Sequence, residues 1–403
     1  MNSTAQEFRS HFPSLTDSKY SSHIYLDGPG GTQVPHQVID AISDYYKNFN
    51  ANTHGAFRSS KETDRVMNEA REKMATFLNA EGSHCISFGQ NMTSMVFSLS
   101  RALARIFQPG DEILITQLDH ESNRGPWLKL REWGIEVREV AVTSYGTLDY
   151  ADFESKINER TRLVAMGCAS NAVGTVNDVA FARKLSYQYG ALLSLDAVHF
   201  APHFPIDVQA WGCDFLFCSA YKFYGPHVGI MYSKPDLLNT LPVDNLRTQD
   251  QVAPYKIETG TLNHAAIAGT AAAVDFIASF GSGNGLREKL VDSMTIIGAR
   301  ERHLAEKLYS GFKKIKGIKV AGPGFEKGLR APTISIAMEG VRPEILCEKL
   351  AVENIYVWDG HFYAIKAMEC LGLLEKGGVS RFGISAYTRE EEVDRLLEEV
   401  GKI

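Results

Sequence analysis

The sequence predicts an α/β protein, with a large domain on a mostly parallel sheet covered by helices on both faces and a smaller α+β domain after it. Three observations predict this. Short apolar runs of buried-strand length alternate with longer amphipathic stretches from about residue 24 to residue 232. At 403 residues the chain exceeds one ordinary compact domain. The turn-rich Phe280-Gly281-Ser282-Gly283-Asn284-Gly285 then divides the alternation from a tail of different pattern.

Residues 84–88, 112–116, 137–141, 163–167, 191–195 and 215–218 read as strands. Between them, 93–107, 125–133 and 180–189 read as helices, with Gly110-Asp111 and Gly190 as stops. The tail opens with a long helical pattern over 286–312. A strand at 333–337, a helix at 342–353 and a strand at 355–357 follow it. A closing helix over 389–400 carries Glu390, Glu391 and Glu392 in its first turn, where the helix dipole favours acids. The predicted domains are an N-terminal segment 1–19 packing with the small domain, a large domain 20–282 and a small domain 283–403.

Composition narrows the class. A hydrophobic content of 44% and a charged content of 22% suit a folded globular protein rather than a disordered one. A formal net charge of −6 without basic runs leaves no footprint for nucleic acid or an anionic membrane. The six cysteines are scattered and form no CxxC pair, which suits buried reduced thiols better than disulfides or a zinc site. The stretch 1–15 lacks the basic start and apolar core of a signal peptide, and no apolar run approaches membrane-spanning length. A cytoplasmic protein is expected.

Ser194-Leu195-Asp196 ends one apolar run, and Ser219-Ala220-Tyr221-Lys222 ends another. The two charged residues are separated by 222 − 196 = 26 positions, room for one crossover to a neighbouring strand. Open α/β sheets bind ligands at such strand ends. An acid and a lysine meeting there suit pyridoxal phosphate. The lysine holds the aldehyde as a Schiff base, and the acid keeps the ring nitrogen protonated. A solvated lysine in a surface turn is the plain alternative, but the flanking aromatics and Gly225-Pro226 leave it little room.

Phe88-Gly89-Gln90-Asn91-Met92-Thr93 follows a strand and opens a helix, so the free amides of Asn91 and Met92 offer an anion cradle. It is neither a Walker loop nor, at Gly28-Pro29-Gly30-Gly31, a GxGxxG turn. His120 follows a strand and could stack on a flat cofactor; a lone histidine is more often structural, so it counts only through its company. His199 and His203 are flanked by Pro202 and Pro205, which deny the helical spacing of a zinc pair, so no metal is expected.

Taken together, these residues resemble the class V aminotransferase family of fold-type I pyridoxal phosphate enzymes, nearest its cysteine desulfurase and selenocysteine lyase branch. The likeness runs from Tyr25-Leu26-Asp27 to Glu392-Val393-Asp394-Arg395-Leu396. It implies a seven-stranded large-domain sheet and a homodimer with shared active sites. It assigns catalysis to Lys222, Asp196 and His120, and cofactor binding to Asn91, Met92, Asn171, His199, Ser219 and Tyr221. Thr261 matches a threonine that reaches the partner subunit's phosphate. Arg381 matches the arginine that grips the substrate α-carboxylate, with Asn171 beside it.

The departures from that branch bear on the reaction. Its catalytic cysteine follows a Gly-His-His sequence; here the stretch is Asp359-Gly360-His361-Phe362-Tyr363, with Tyr363 in the cysteine's place. A phenol cannot take up sulfur as a persulfide. Cys370, nearby, is expected to be packed within a helix over 365–371. Trp358 stands where a second arginine is usual, His199 where a glutamine is usual, and Tyr221 where a histidine is usual. His54 and Arg58 lie in a loop expected to approach the substrate, where Arg58 would replace the lost cation. The resemblance implies a small amino-acid substrate handled through an external aldimine, as by a desulfurase-like carbon–sulfur lyase. Epimerase and aminotransferase outcomes stay open, as does a catalytically silent cofactor-binding protein.

Overall fold

The computed structural model describes residues 2–17 and 19–403. Its large sheet has seven strands in the order Ile86–Gly89, Gly229–Ser233, Phe215–Ser219, Leu192–Asp196, Thr161–Gly167, Glu112–Thr116 and Glu136–Val140. From Phe215–Ser219 through Glu136–Val140 the neighbouring strands run parallel, while Gly229–Ser233 is antiparallel to both of its neighbours. The inner strands are buried on both faces, which is why they read as unbroken apolar runs.

All six strands expected in the large domain are present, Glu112–Thr116 with the limits expected and the other five with shifted ends. The first starts at Ile86, because His84 and Cys85 are taken up in a 3-10 turn. The seventh, Gly229–Ser233, follows the lysine turn so closely that it can only return antiparallel. The helix expected over 125–133 is one α-turn at Gly125–Leu128 continued as a 3-10 helix, Lys129–Trp133. It stops at Gly134, whose φ of 79° is left-handed.

The helix Leu286–Phe312 joins two cores. Leu290, Met294 and Ile297 pack with the large sheet's helices, and Leu304, Leu308 and Phe312 pack under the C-terminal sheet. That sheet is fully antiparallel, in the order Trp358–Gly360, Val379–Gly383, Thr333–Met338, Ile318–Ala321. Ile24–Tyr25 pairs in parallel with Ile355–Tyr356, so the chain visits the C-terminal region before building the large sheet.

The N-terminal segment touches residues of both parts. Phe8 and Phe12 meet Tyr224 and Phe276 edge-on or tilted, Phe12 also meets Tyr387, and Arg9 pairs with Glu392 at 3.0 Å. Its aromatic face is broad enough to be buried twice. Among the described residues, no helix is long and apolar enough to cross a membrane.

Candidate active site

The C-terminal ends of the parallel strands open onto a cavity of about 860 Å³. Strand register builds its floor. Asp196 lies beside Gly167 on one side and Phe217 on the other, so its carboxylate stands at the same edge as Ser219 and the turn Ala220–Lys222.

Lys222 is buried, and its Nζ donates a hydrogen bond to the Pro29 carbonyl. Burial, helped by the Arg381 charge, drives its ammonium down to about 7, while Asp196 and Asp27 pull the other way. The Asp196 carboxyl is pushed up to about 7, first by burial and then by the neighbouring Asp119 charge. Its Oδ1 accepts from the Val198 amide at 2.9 Å. Desolvation thus burdens both charges of the pair, and a ligand bringing complementary groups relieves it.

His120 caps a 3-10 turn, its Nδ1 accepting from the Ser122 amide at 3.0 Å, which leaves the ring hydrogen on Nε2. Burial, then the charges of Lys222 and Arg381, bring it down to about 4, so the ring is neutral at physiological pH. Asp119 fixes this loop by accepting from the Gly167 amide and from Asn123 Nδ2 at 2.9 Å.

Asn91 caps the helix Met92–Ala104, accepting from the Ser94 amide at 2.9 Å, so the first amides of the helix stay free beside the cavity. Gly229 lets this end approach the sheet: a Cβ there would lie 2.5 Å from the Asn91 carbonyl carbon. The Thr93 and Ser122 hydroxyls meet at 2.6 Å and join the cradle to the His120 turn.

Arg381 is buried in the strand Val379–Gly383. Its guanidinium donates to the Asn171 carbonyl at 3.0 Å and lies 3.9 Å from the centre of the Phe362 ring. Burial lowers it to about 9. Asn171 Nδ2 donates to the Phe362 carbonyl at 2.9 Å, and His199 Nε2 meets Thr333 Oγ1 at 3.0 Å. Asn171 Oδ1, His199 Nδ1 and Arg381 Nε are buried and without partners. Buried polar atoms are normally bonded, so three unpaired ones around one cavity mark a polar ligand's place.

Lys222, Asp196, His120, Asn91, Met92, Asn171, His199, Ser219, Tyr221, Arg381 and Tyr363 all line this cavity. His54, Arg58 and Thr261 do not. They are exposed, with His54 paired to Asp64 at 3.5 Å and Arg58 opening the helix Arg58–Leu78. The expectation for Cys370 needs correction. It ends the helix Ile365–Cys370 as an exposed residue, its thiol turned to Gln117 Oε1 at 3.3 Å, because the last turn projects beyond the core that holds Ala367 and Met368. Phe362, Asp119 and Gly229 were not foreseen. Only Asp119 carried a signal, its place directly before His120.

The class V aminotransferase family model matches residues 24–396. A probable cysteine desulfurase of Methanothermobacter thermautotrophicus is 32% identical, the alignment covering 99% of this chain and 98% of that protein. A cysteine desulfurase of Pectobacterium atrosepticum is 30% identical over 98% of this chain and 97% of its own. The apo structure of a cysteine desulfurase from Thermococcus onnurineus superposes with a TM-score of 0.87 at 26% identity, over 98% of this chain and 97% of that one. Fold, strand-end chemistry and sequence agree, and the chain belongs to the class V aminotransferase family.

Proposed function

We propose that this protein is a pyridoxal phosphate-dependent carbon–sulfur lyase acting on a cysteine-type amino acid. The observation that carries this is the meeting of Lys222, Asp196, His120 and Arg381 around one cavity. The residues fit the cofactor. Lys222 would hold its aldehyde carbon, Asp196 its ring nitrogen, and Asn91, Met92, Ser219 and Tyr221 its phosphate. His199, with Nδ1 unpaired, suits the ring hydroxyl, and the neutral His120 suits the ring face. When bound, the cofactor supplies an electron sink for negative charge at the substrate α-carbon.

The protein's own groups do the rest. Arg381 fixes the α-carboxylate, with Asn171 beside it as orienting partner. Lys222 Nζ, held near 7, is neutral in a large fraction of molecules at physiological pH, so it can take the α-proton and return it. Among the described residues no cysteine lines the cavity, so sulfur leaves without transfer to a protein thiol there. We further place the protein in the cytoplasm as a homodimer. Thr261 then serves the phosphate of the partner subunit's site.

The test is direct. The purified protein should absorb visible light, and borohydride should fix the cofactor on Lys222, located by peptide mass spectrometry. Incubation with cysteine should then release pyruvate, ammonia and sulfide, and incubation with cysteine conjugates pyruvate, ammonia and the corresponding thiol. Alanine with enzyme-bound persulfide, or inversion without elimination, would refute the lyase.

A further inference from the structure

We propose that Trp358, Phe362 and Tyr363 form a side-chain subsite for an aromatic or extended apolar group carried on the substrate's sulfur. The proposal rests on the amino-acid reading above and names which amino acids this cavity takes. All three residues line the cavity, and they surround the group that holds the carboxylate. Trp358 pairs with Arg381 across the two strands, and the Phe362 ring lies 3.9 Å from the Arg381 guanidinium. The Tyr363 ring is 5.4 Å from that of His120. An amino acid anchored on Arg381 therefore extends its side chain among these rings.

The wall is fixed. Phe362 and Tyr363 have φ of 52° and 57°, a left-handed conformation that bulky residues hold only where their surroundings impose it. Those surroundings are visible: Asn171 donates to the Phe362 carbonyl at 2.9 Å and the Glu121 amide to the Tyr363 carbonyl at 2.7 Å. Trp358 is seated against Gly30, where a Cβ would meet its Nε1 at 2.9 Å. These contacts hold the segment as an aromatic surface at the cavity mouth.

The rings at the mouth then select the ligand. The cavity of about 860 Å³ takes cofactor and substrate together, so the nature of the side chain is read from the surface beyond Arg381 rather than from total volume. Trp358 and Tyr363 are 54% and 66% exposed, so apolar surface at the mouth stays uncovered by cysteine itself. A flat or extended apolar substituent covers it and gains aromatic contact.

The experiment compares 3-(benzylthio)propanoate with 3-(methylthio)propanoate by calorimetric titration of the protein as purified. Neither has an amine, so neither reacts at Lys222 and binding is read without turnover. The benzyl compound should bind tighter by on the order of tenfold. Trp358→Ala and Tyr363→Ala should erase the preference, and Trp358→Phe and Tyr363→Phe should keep it, all at an unchanged melting temperature. Equal affinity, no binding of either compound, or a preference that survives both alanine changes overturns the subsite. Visible absorbance is recorded separately, so a colourless protein that still prefers the benzyl compound overturns the cofactor reading alone.

Discussion

Arg71 and Glu258 form a bidentate ion pair in the interior, 2.6 Å on each arm, between side chains only 3% and 5% exposed. Glu258 also accepts from the Phe88 amide at 2.6 Å, and Arg71 donates to the Ile86 carbonyl at 2.7 Å. The guanidinium lies over the rings of Phe88 and Tyr255. One pair thus ties the helix Arg58–Leu78 to the strand leading into the Asn91 cradle and to the segment that carries Thr261.

Breaking it should be costly, because removing one partner leaves an uncompensated buried charge. Glu258→Ala should destabilise the protein by about 3–5 kcal/mol in urea unfolding, with Arg71→Met similar alone. The double change Arg71→Met with Glu258→Leu should recover much of that loss. Equal destabilisation by single and double changes would mean that the loss is one of packing rather than charge.

Gly229→Ala should weaken cofactor binding before it harms the fold. The new methyl meets backbone rather than a flexible side chain, so Asn91 and the helix end must move. We expect the dissociation constant for pyridoxal phosphate, by equilibrium dialysis, to rise roughly tenfold or more, as for about 1.4 kcal/mol. An unchanged constant would place the anion elsewhere.

Lys222→Ala should abolish turnover and borohydride trapping together. Cys370→Ser should leave turnover within about twofold, the change of an exposed side chain outside the cavity being worth within ±0.5 kcal/mol. Loss of sulfur release in Cys370→Ser alone would mean that this thiol reaches the substrate.

The buried pair should also set the pH dependence of stability in cofactor-free protein. Lys222 titrates near 7 folded against an ordinary 10.5, so between those values the unfolded chain binds more protons and stability rises with pH. Asp196 titrates near 7 folded against 3.8, so between 3.8 and 7 the folded chain binds more protons and stability falls as pH rises. Urea midpoints should lose the first slope in Lys222→Met and the second in Asp196→Asn. Unaltered slopes would show that neither group is held uncharged.

The fold was legible where local pattern and burial coincide. The inner strands are apolar throughout because both faces are covered, and Leu286–Phe312 was found with its limits because a long amphipathic helix repeats its signal many times. Strand Gly229–Ser233 and the split of 125–133 were not legible, since pairing direction and helix type depend on neighbours far along the chain. Cys370 shows the same limit: its helix was visible, but which turn of that helix projects into solvent was not.

By itself, the sequence determined that an acid and a lysine end two buried strands, that a helix begins after Gly89, and that Tyr363 rather than a cysteine follows Phe362. These are matters of residue type and short-range order. Only the tertiary structure decided that Asp196 and Lys222 share one edge, that three polar atoms around them lack partners, and that Arg381 is sheathed by Phe362. The reason is physical: strand register and burial set desolvation and orientation. Both arise from contacts between residues hundreds of positions apart, such as Asn171 with Phe362 and Arg381, which no local pattern encodes.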